Sequence, residues 1–144
     1  MAIHVHYRNV KFQLKGSSEI KRWLLAAIRE EGFSPGSIVY YFIDDKSQRD
    51  INSEFLEHHY NTDVITFDYS SEGETSGEIY IAIDTVRKNA LEYASGFRNE
   101  YLRVMIHGVL HLVGFDDKSE AEKYAIRERE DYYLNKFFRG NDKL

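Results

Sequence analysis

The chain predicts an α/β fold, a sandwich in which one mixed sheet of about four strands is covered by about five helices. Segments whose apolar residues alternate every second position are interleaved with segments where they recur at helical spacing. No linker-like composition shift divides the sequence, and no segment repeats. At 144 residues the length suits one domain, and a domain near this size buries roughly 68 to 70% of its unfolded surface without a metal to hold it together. Residues 1–144 are therefore read as a single domain.

Ile3, Val5 and Tyr7 alternate with His4 and His6, which reads as a half-buried first strand with both histidines facing outward. Ser17 or Ser18 can cap a helix whose Ile20, Trp23, Leu24, Ala27 and Ile28 form the apolar stripe, and Gly32 with Pro35 and Gly36 ends it. Residues 38–43 are apolar on both faces, as an interior strand requires. Asp44 and Asp45 then offer caps for a helix carrying Ile51 and Phe55, with His58 and His59 near its end.

Residues 64–67 read as a short strand, and 70–76, Ser-Ser-Glu-Gly-Glu-Thr-Ser, as a mobile polar loop that contributes nothing to the core. Ile79, Ile81 and Ile83 alternate with Tyr80 and Ala82 in a fourth strand; Asp84 or Thr85 can cap a helix that stops at Ser95 and Gly96. The stretch 98–113 is apolar around most of its circumference beyond Tyr101, which predicts a buried central helix beside a cleft. A last helix spans 118 to about 138 with Ala121, Ala125, Glu128 and Tyr132 on one stripe, and 139–144 is a polar tail.

Chemistry concentrates in His107-Gly108-Val109-Leu110-His111-Leu112-Val113-Gly114-Phe115-Asp116-Asp117. Histidines four apart share one helix face, about 6 Å apart along the axis, so both imidazoles reach a common metal ion. Gly114 is placed to end the helix in the left-handed conformation and return a carboxylate toward them. Two imidazoles and one carboxylate leave a coordination position open, which distinguishes a catalytic metal site from a structural one.

Other roles fit the same residues. Buried histidines also serve as plain hydrogen-bonding groups, and Gly108 stands where the zincin helix carries its catalytic glutamate, which excludes that class of protease helix. A glycine there implies close backbone packing or close ligand approach. Asp117 followed by Glu120 also reads as a helix N-cap, and spacing alone leaves Asp116 as a rival ligand.

The order of motifs resembles the YbeY family of bacterial endoribonucleases, the rRNA maturation factors, over residues 52–117. The stretch at 107–117 is similar to that family's H-G-x-L-H-L-x-G-[FY]-D-H. Gly77-Glu78-Ile79-Tyr80-Ile81 is similar to its G-D-I-x-I, and Thr62-Asp63-Val64-Ile65-Thr66-Phe67 to its T-x-V-L-S-F. The resemblance implies a sandwich with the metal site at the central helix, and a metal-dependent endoribonuclease acting on single-stranded RNA in ribosomal RNA maturation and ribosome quality control. It implies the ribosomal subunit and its proteins as partners, with no DNA and no membrane. It also implies His107, His111 and Asp117 as catalytic metal ligands, placing the third at Asp117 rather than Asp116.

Two departures stand out. The family's last ligand is histidine and here is aspartate, which zinc accepts at about 2.0 to 2.2 Å. Ahead of the third strand the family reads Y-R-x-K-D-x-P-T, whereas here Leu56 replaces the arginine implicated in cleavage and His58 replaces the lysine. His58 and His59 are accordingly candidate catalytic donors, as imidazolium charge or as an acid for the leaving oxygen.

Composition sets the outer limits. With no cysteine there is no disulfide, thiolate ligand or cysteine nucleophile, so imidazole and carboxylate must hold any metal. Zinc is the first candidate for one divalent transition metal, with nickel and manganese as alternatives. Nothing resembles a leader or an apolar stretch of about 18 residues, so the expected compartment is the cytoplasm. A formal charge of -5 argues against indiscriminate coating of nucleic acid but leaves room for a local basic groove, for which Arg87, Lys88, Arg98 and Arg103 are candidates. Two further functions stay open: a metal-stabilised ribosome-assembly binding protein that does not cleave, and a metal-dependent hydrolase of another substrate.

Overall fold

The computed structural model describes residues 2–56 and 62–142. Its four strands are β1 (Ala2–Arg8), β2 (Ser34–Ile43), β3 (Val64–Asp68) and β4 (Glu74–Ala82), arranged β1-β2-β4-β3 in one sheet. β1, β2 and β4 run parallel and β3 pairs antiparallel with β4, so the sheet is mixed. Five helices accompany it: α1 (Ser17–Glu30), α2 (Asp45–Leu56), α3 (Ile83–Glu92), α4 (Phe97–Leu112) and α5 (Glu120–Asp142).

The expected central helix is α4, which packs against β3, β4, α1, α3 and α5. Leu102, Met105, Ile106, Val109 and Leu110 of α4 are fully buried with Ile38, Tyr40, Phe42, Ile79 and Ile81 of the sheet. Each such side chain contributes roughly 1.5 to 3 kcal/mol by leaving water. Two polar ties fix the packing, for the buried Tyr40 hydroxyl donates to the Met105 carbonyl at 2.7 Å and Trp23 Nε1 to the Tyr133 carbonyl at 2.8 Å. Gly108 explains how α4 comes so near the sheet: a Cβ there would meet Ile79 side-chain atoms at 2.8 and 2.9 Å. Of the two readings of this glycine, close packing is the one the structure supports.

Several sequence expectations need correction. Residues 70–76 are not a structureless loop, because β4 begins at Glu74 and Thr75 is fully buried. Ser71 and Glu74 exchange both backbone hydrogen bonds, at 3.1 and 2.9 Å, across a tight turn at Glu72 and Gly73. Hydroxyls in this polar run satisfy backbone groups, Ser70 Oγ accepting from the Ser76 N–H at 3.0 Å and Ser76 Oγ from the Ser37 N–H at 3.1 Å.

Ile83 opens α3 rather than closing β4. Neither Asp84 nor Thr85 caps that helix; the Thr85 hydroxyl instead donates to Asp45 at 2.8 Å and ties α3 to α2. Gly16, not a serine, occupies the N-cap of α1, whereas Asp44 does cap α2, accepting from the Ser47 N–H at 3.3 Å. Hydrogen bonds from Ser47, chiefly its hydroxyl and then its backbone N–H, hold the Asp44 carboxyl below its ordinary range. The stripe assigned to the last helix is on the wrong face: Ala121, Ala125, Glu128 and Tyr132 are exposed, while Ile126, Glu130, Tyr133, Leu134 and Phe137 are buried. α5 also continues through most of the expected polar tail. His4 and His6 are exposed on β1, as alternation required.

Candidate metal centre

His107 and His111 lie in the last two turns of α4, where their rings meet edge to face with centroids 4.6 Å apart. The chain then reverses at Gly114, whose φ of 107° belongs to the left-handed region. Phe115 N–H donates to the Leu110 carbonyl at 2.9 Å and Gly114 N–H to the His111 carbonyl at 3.1 Å, the paired bonds of a Schellman ending. This reversal delivers Asp117 to the histidines. Its Oδ2 is 3.4 Å from Nε2 of His107 and 3.4 Å from Nε2 of His111.

The alternative capping role of Asp117 is taken by another residue. Ser119 Oγ accepts from the Glu122 N–H at 3.1 Å while a Glu122 carboxylate oxygen accepts from the Ser119 N–H at 2.9 Å. This reciprocal capping box starts α5 and leaves the Asp117 carboxylate free for the site.

Donor atoms from His107, His111 and Asp117 lie within 4.8 Å of one another, and among the described residues no other group of three has this arrangement. Tetrahedral zinc with bonds of about 2.0 to 2.1 Å has ligand-to-ligand edges of about 3.3 Å, so the two observed 3.4 Å separations fit such an ion. Asp116 lines the surrounding cleft but does not join the donor triangle.

Glu130 of α5 was not foreseen from the sequence. Its Oε2 is 2.6 Å from His107 Nδ1 and its Oε1 accepts from Arg103 at 2.8 Å, while Arg103 also donates to Asp131 at 2.6 Å. A carboxylate on Nδ1 fixes the ring orientation and directs Nε2 toward Asp117. Burial disfavours a charged His107, but the Glu130 hydrogen bond and the charges of Glu130, Asp117 and Asp63 outweigh it and hold its pKa above the ordinary value. Periodicity alone offered one signal, since Ile126, Glu130, Tyr133, Leu134 and Phe137 are at helical spacing and put Glu130 on the apolar side of α5.

The site opens into a cleft of about 790 Å³ lined by β3, α3, α4 and α5. Asp63, another residue that sequence reading did not single out, lines this cleft, and burial pushes its carboxyl up. The proposed basic groove does not form as expected. Arg98 lies over the Phe137 ring at 5.3 Å and does not line the cleft; Arg103 lines it but is neutralised by Glu130 and Asp131. His58 and His59 lie outside the described residues.

The fold and site together define an α/β protein with a candidate mononuclear His-His-Asp centre. Residues 3–138 match the family model for endoribonuclease YbeY. The chain belongs to this family. It is 42% identical over 128 residues to an endoribonuclease YbeY of Flavobacterium psychrophilum, covering 89% of this chain and 91% of the relative. A Chlorobium limicola endoribonuclease YbeY is 40% identical over 123 residues, covering 85% of each. A solution structure of a Thermotoga maritima protein superposes with a TM-score of 0.66 at 27% identity, covering 96% of this chain and 93% of that one.

Proposed function

We propose that the chain is a metal-dependent endoribonuclease acting on single-stranded RNA in the maturation of ribosomal RNA and in ribosome quality control, with ribosomal RNA and ribosomal subunits as partners. The observation that carries this reading is the convergence of His107, His111 and Asp117 at tetrahedral spacing in an open cleft, on a chain of the YbeY family. These three residues would hold one divalent ion, with zinc favoured by its match to two imidazoles and a carboxylate. When bound, the ion supplies Lewis acidity toward a phosphoryl oxygen and makes water a nucleophile near neutral pH.

The protein's own groups complete the assignment. His107 and His111 present Nε2, and Glu130, anchored by Arg103, keeps the proton of His107 on Nδ1 so that Nε2 remains a donor. Asp117 adds negative charge that offsets part of the cation's charge. Asp63, whose carboxyl burial shifts upward, lines the same cleft. No described helix is long and apolar enough to cross a membrane, and the cytoplasm is the compartment this substrate requires.

Leu56 at the end of α2 favours a second reading, a ribosome-assembly protein that binds RNA and keeps the metal without cleaving, because an arginine beside phosphoryl transfer stabilises developing charge. His58 and His59 are proposed to supply that charge instead. A labelled ribosomal precursor incubated with zinc-loaded and chelator-stripped protein separates the readings. Cleavage only in the loaded sample supports the endoribonuclease; binding without cleavage in both supports the assembly protein. Replacing His58 and His59 with alanine together should lower cleavage at constant metal content, with restoration by Leu56→Arg. Full activity of the double variant would remove them from the mechanism.

A further inference from the structure

The cleft carries two devices that the metal chemistry does not use. At the C-terminal cap of α3, Tyr93 lines it with 66% of its surface exposed, and among the described residues no ring contact or side-chain hydrogen bond engages the phenol. This differs from the aromatic row across the sheet, where Tyr41 and Tyr80 stack on each other at 4.6 Å and 9° and thereby cover the faces a nucleobase would need. Tyr93 keeps its π-face free. Asn89, one turn earlier on α3, lines the same cleft with an amide that both donates and accepts.

On α5, the residues lining the cleft are Lys123, Ile126, Arg127 and Glu130, which is one helical face. Glu130 is bound to His107 and Arg103, so it fixes that face against the metal centre. Arg127, about 4.5 Å earlier along the axis, forms no ion pair or hydrogen bond among the described residues. Lys123, one further turn back, makes only an exposed contact of 3.6 Å with Glu120, of a kind worth little in water. Of the three cations lining the cleft, Arg103 is committed to the protein and these two are available to a ligand.

We infer that this cleft grips one strand of RNA by two separate contacts: a base stacked on Tyr93, and backbone phosphates bound by Arg127 and Lys123. The inference rests on the endoribonuclease reading and names how the strand is held. Unpaired bases are required because a base within a duplex already has both faces covered by its neighbours. The strand therefore runs between a stacking platform at the C-terminal end of α3 and a cationic edge on α5, past His107 and His111.

The test is fluorescence anisotropy with a labelled 2′-O-methyl oligouridylate, its intact length checked on a gel after each titration, over a range of salt, using zinc-loaded protein. Tyr93→Ala should weaken binding about tenfold with the salt dependence unchanged, and Tyr93→Phe should restore it, because stacking needs the ring and not the hydroxyl. Arg127→Gln should lower the slope of log affinity against log salt by about 0.7, one phosphate contact to a single strand. Arg98→Gln, outside the cleft, should match the wild type. Wild-type affinity in Tyr93→Ala, failure of Tyr93→Phe to rescue, or an equal loss on a duplex of the same length overturns the stacking contact. An unchanged slope in Arg127→Gln overturns the phosphate contact. In those cases wild-type cleavage of unmodified RNA, run alongside, leaves the endoribonuclease reading standing; wild-type protein that neither binds nor cleaves overturns both.

Discussion

At the scale of single residues, the candidate donor set was legible in the sequence and its support was not. A helix face and a glycine exit are properties of local chain geometry, so His107, His111 and Asp117 follow from spacing and family motif, whereas Glu130 reaches His107 from a helix far along the chain. The choice between Asp116 and Asp117 turns on where the chain points after Gly114, and Asp117→Asn should lower zinc affinity sharply while Asp116→Asn leaves it near wild type in a competition titration. Glu130→Gln should cost about 10- to 100-fold in zinc affinity, because Nδ1 loses the anion that aims and activates the ring. The pH dependence has a definite sign. His107 has a raised pKa in the metal-free fold, so its protonated form adds stability that is complete below the ordinary value of 6.5 and disappears as pH rises through the raised value. Zinc must displace that proton, so its affinity should fall about tenfold per pH unit below the raised value. In Glu130→Gln burial dominates and the onset of this fall should move to lower pH, as titrations against a chromophoric chelator at several pH values will read.

At the scale of elements, apolar period identified the four strands and five helices of the described residues, but it failed at two kinds of place. Thr75 and Ser76 look like loop because their side chains are polar, yet the sheet supplies partners for their backbone and Ser70 supplies a hydroxyl. The buried face of α5 was misread because the stripe was started on the small residues Ala121 and Ala125, which are exposed, whereas Ile126, Leu134 and Phe137 mark the inner face with Glu130 and Tyr133 between them. The element boundaries yield two predictions. Ala94 adopts a φ of 52° where α3 ends, with its N–H on the Leu91 carbonyl at 3.3 Å and Ser95 N–H on the Ala90 carbonyl at 3.0 Å. A left-handed alanine costs about 1 to 2 kcal/mol and glycine loses part of that gain to chain entropy, so Ala94→Gly should stabilise by about 0.5 to 1 kcal/mol in urea unfolding. Gly108→Ala should act in the opposite direction. Helix propensity improves by about 1 kcal/mol, but the new methyl would stand 2.8 Å from Ile79 in a packed core, and overpacking of this kind costs about 1 to 3 kcal/mol, for a net loss of stability.

At the scale of the whole molecule, the centre joins parts of the chain that the sheet alone does not hold together. His107 and His111 belong to α4, Asp117 to the turn after it, and Glu130 ties the same imidazole to α5, so an ion bound at this candidate centre would reinforce the packing of the last helix on the core. The fold has a core of its own, and metal should therefore raise stability without being required for folding. At free zinc a hundredfold above its dissociation constant the linkage amounts to about 2.7 kcal/mol, and in a domain of this size each kcal/mol moves the thermal midpoint by about 3 to 4 °C. Zinc should therefore raise the midpoint by about 10 °C over the chelator-treated protein, measured by circular dichroism. Asp117→Asn should abolish most of that increment, whereas Arg127→Gln, which touches no donor, should keep it in full. A midpoint indifferent to zinc in the wild type would mean that these three side chains do not hold the ion in the folded state, and a cooperative transition missing from the chelated sample would mean that the apolar core is insufficient without it.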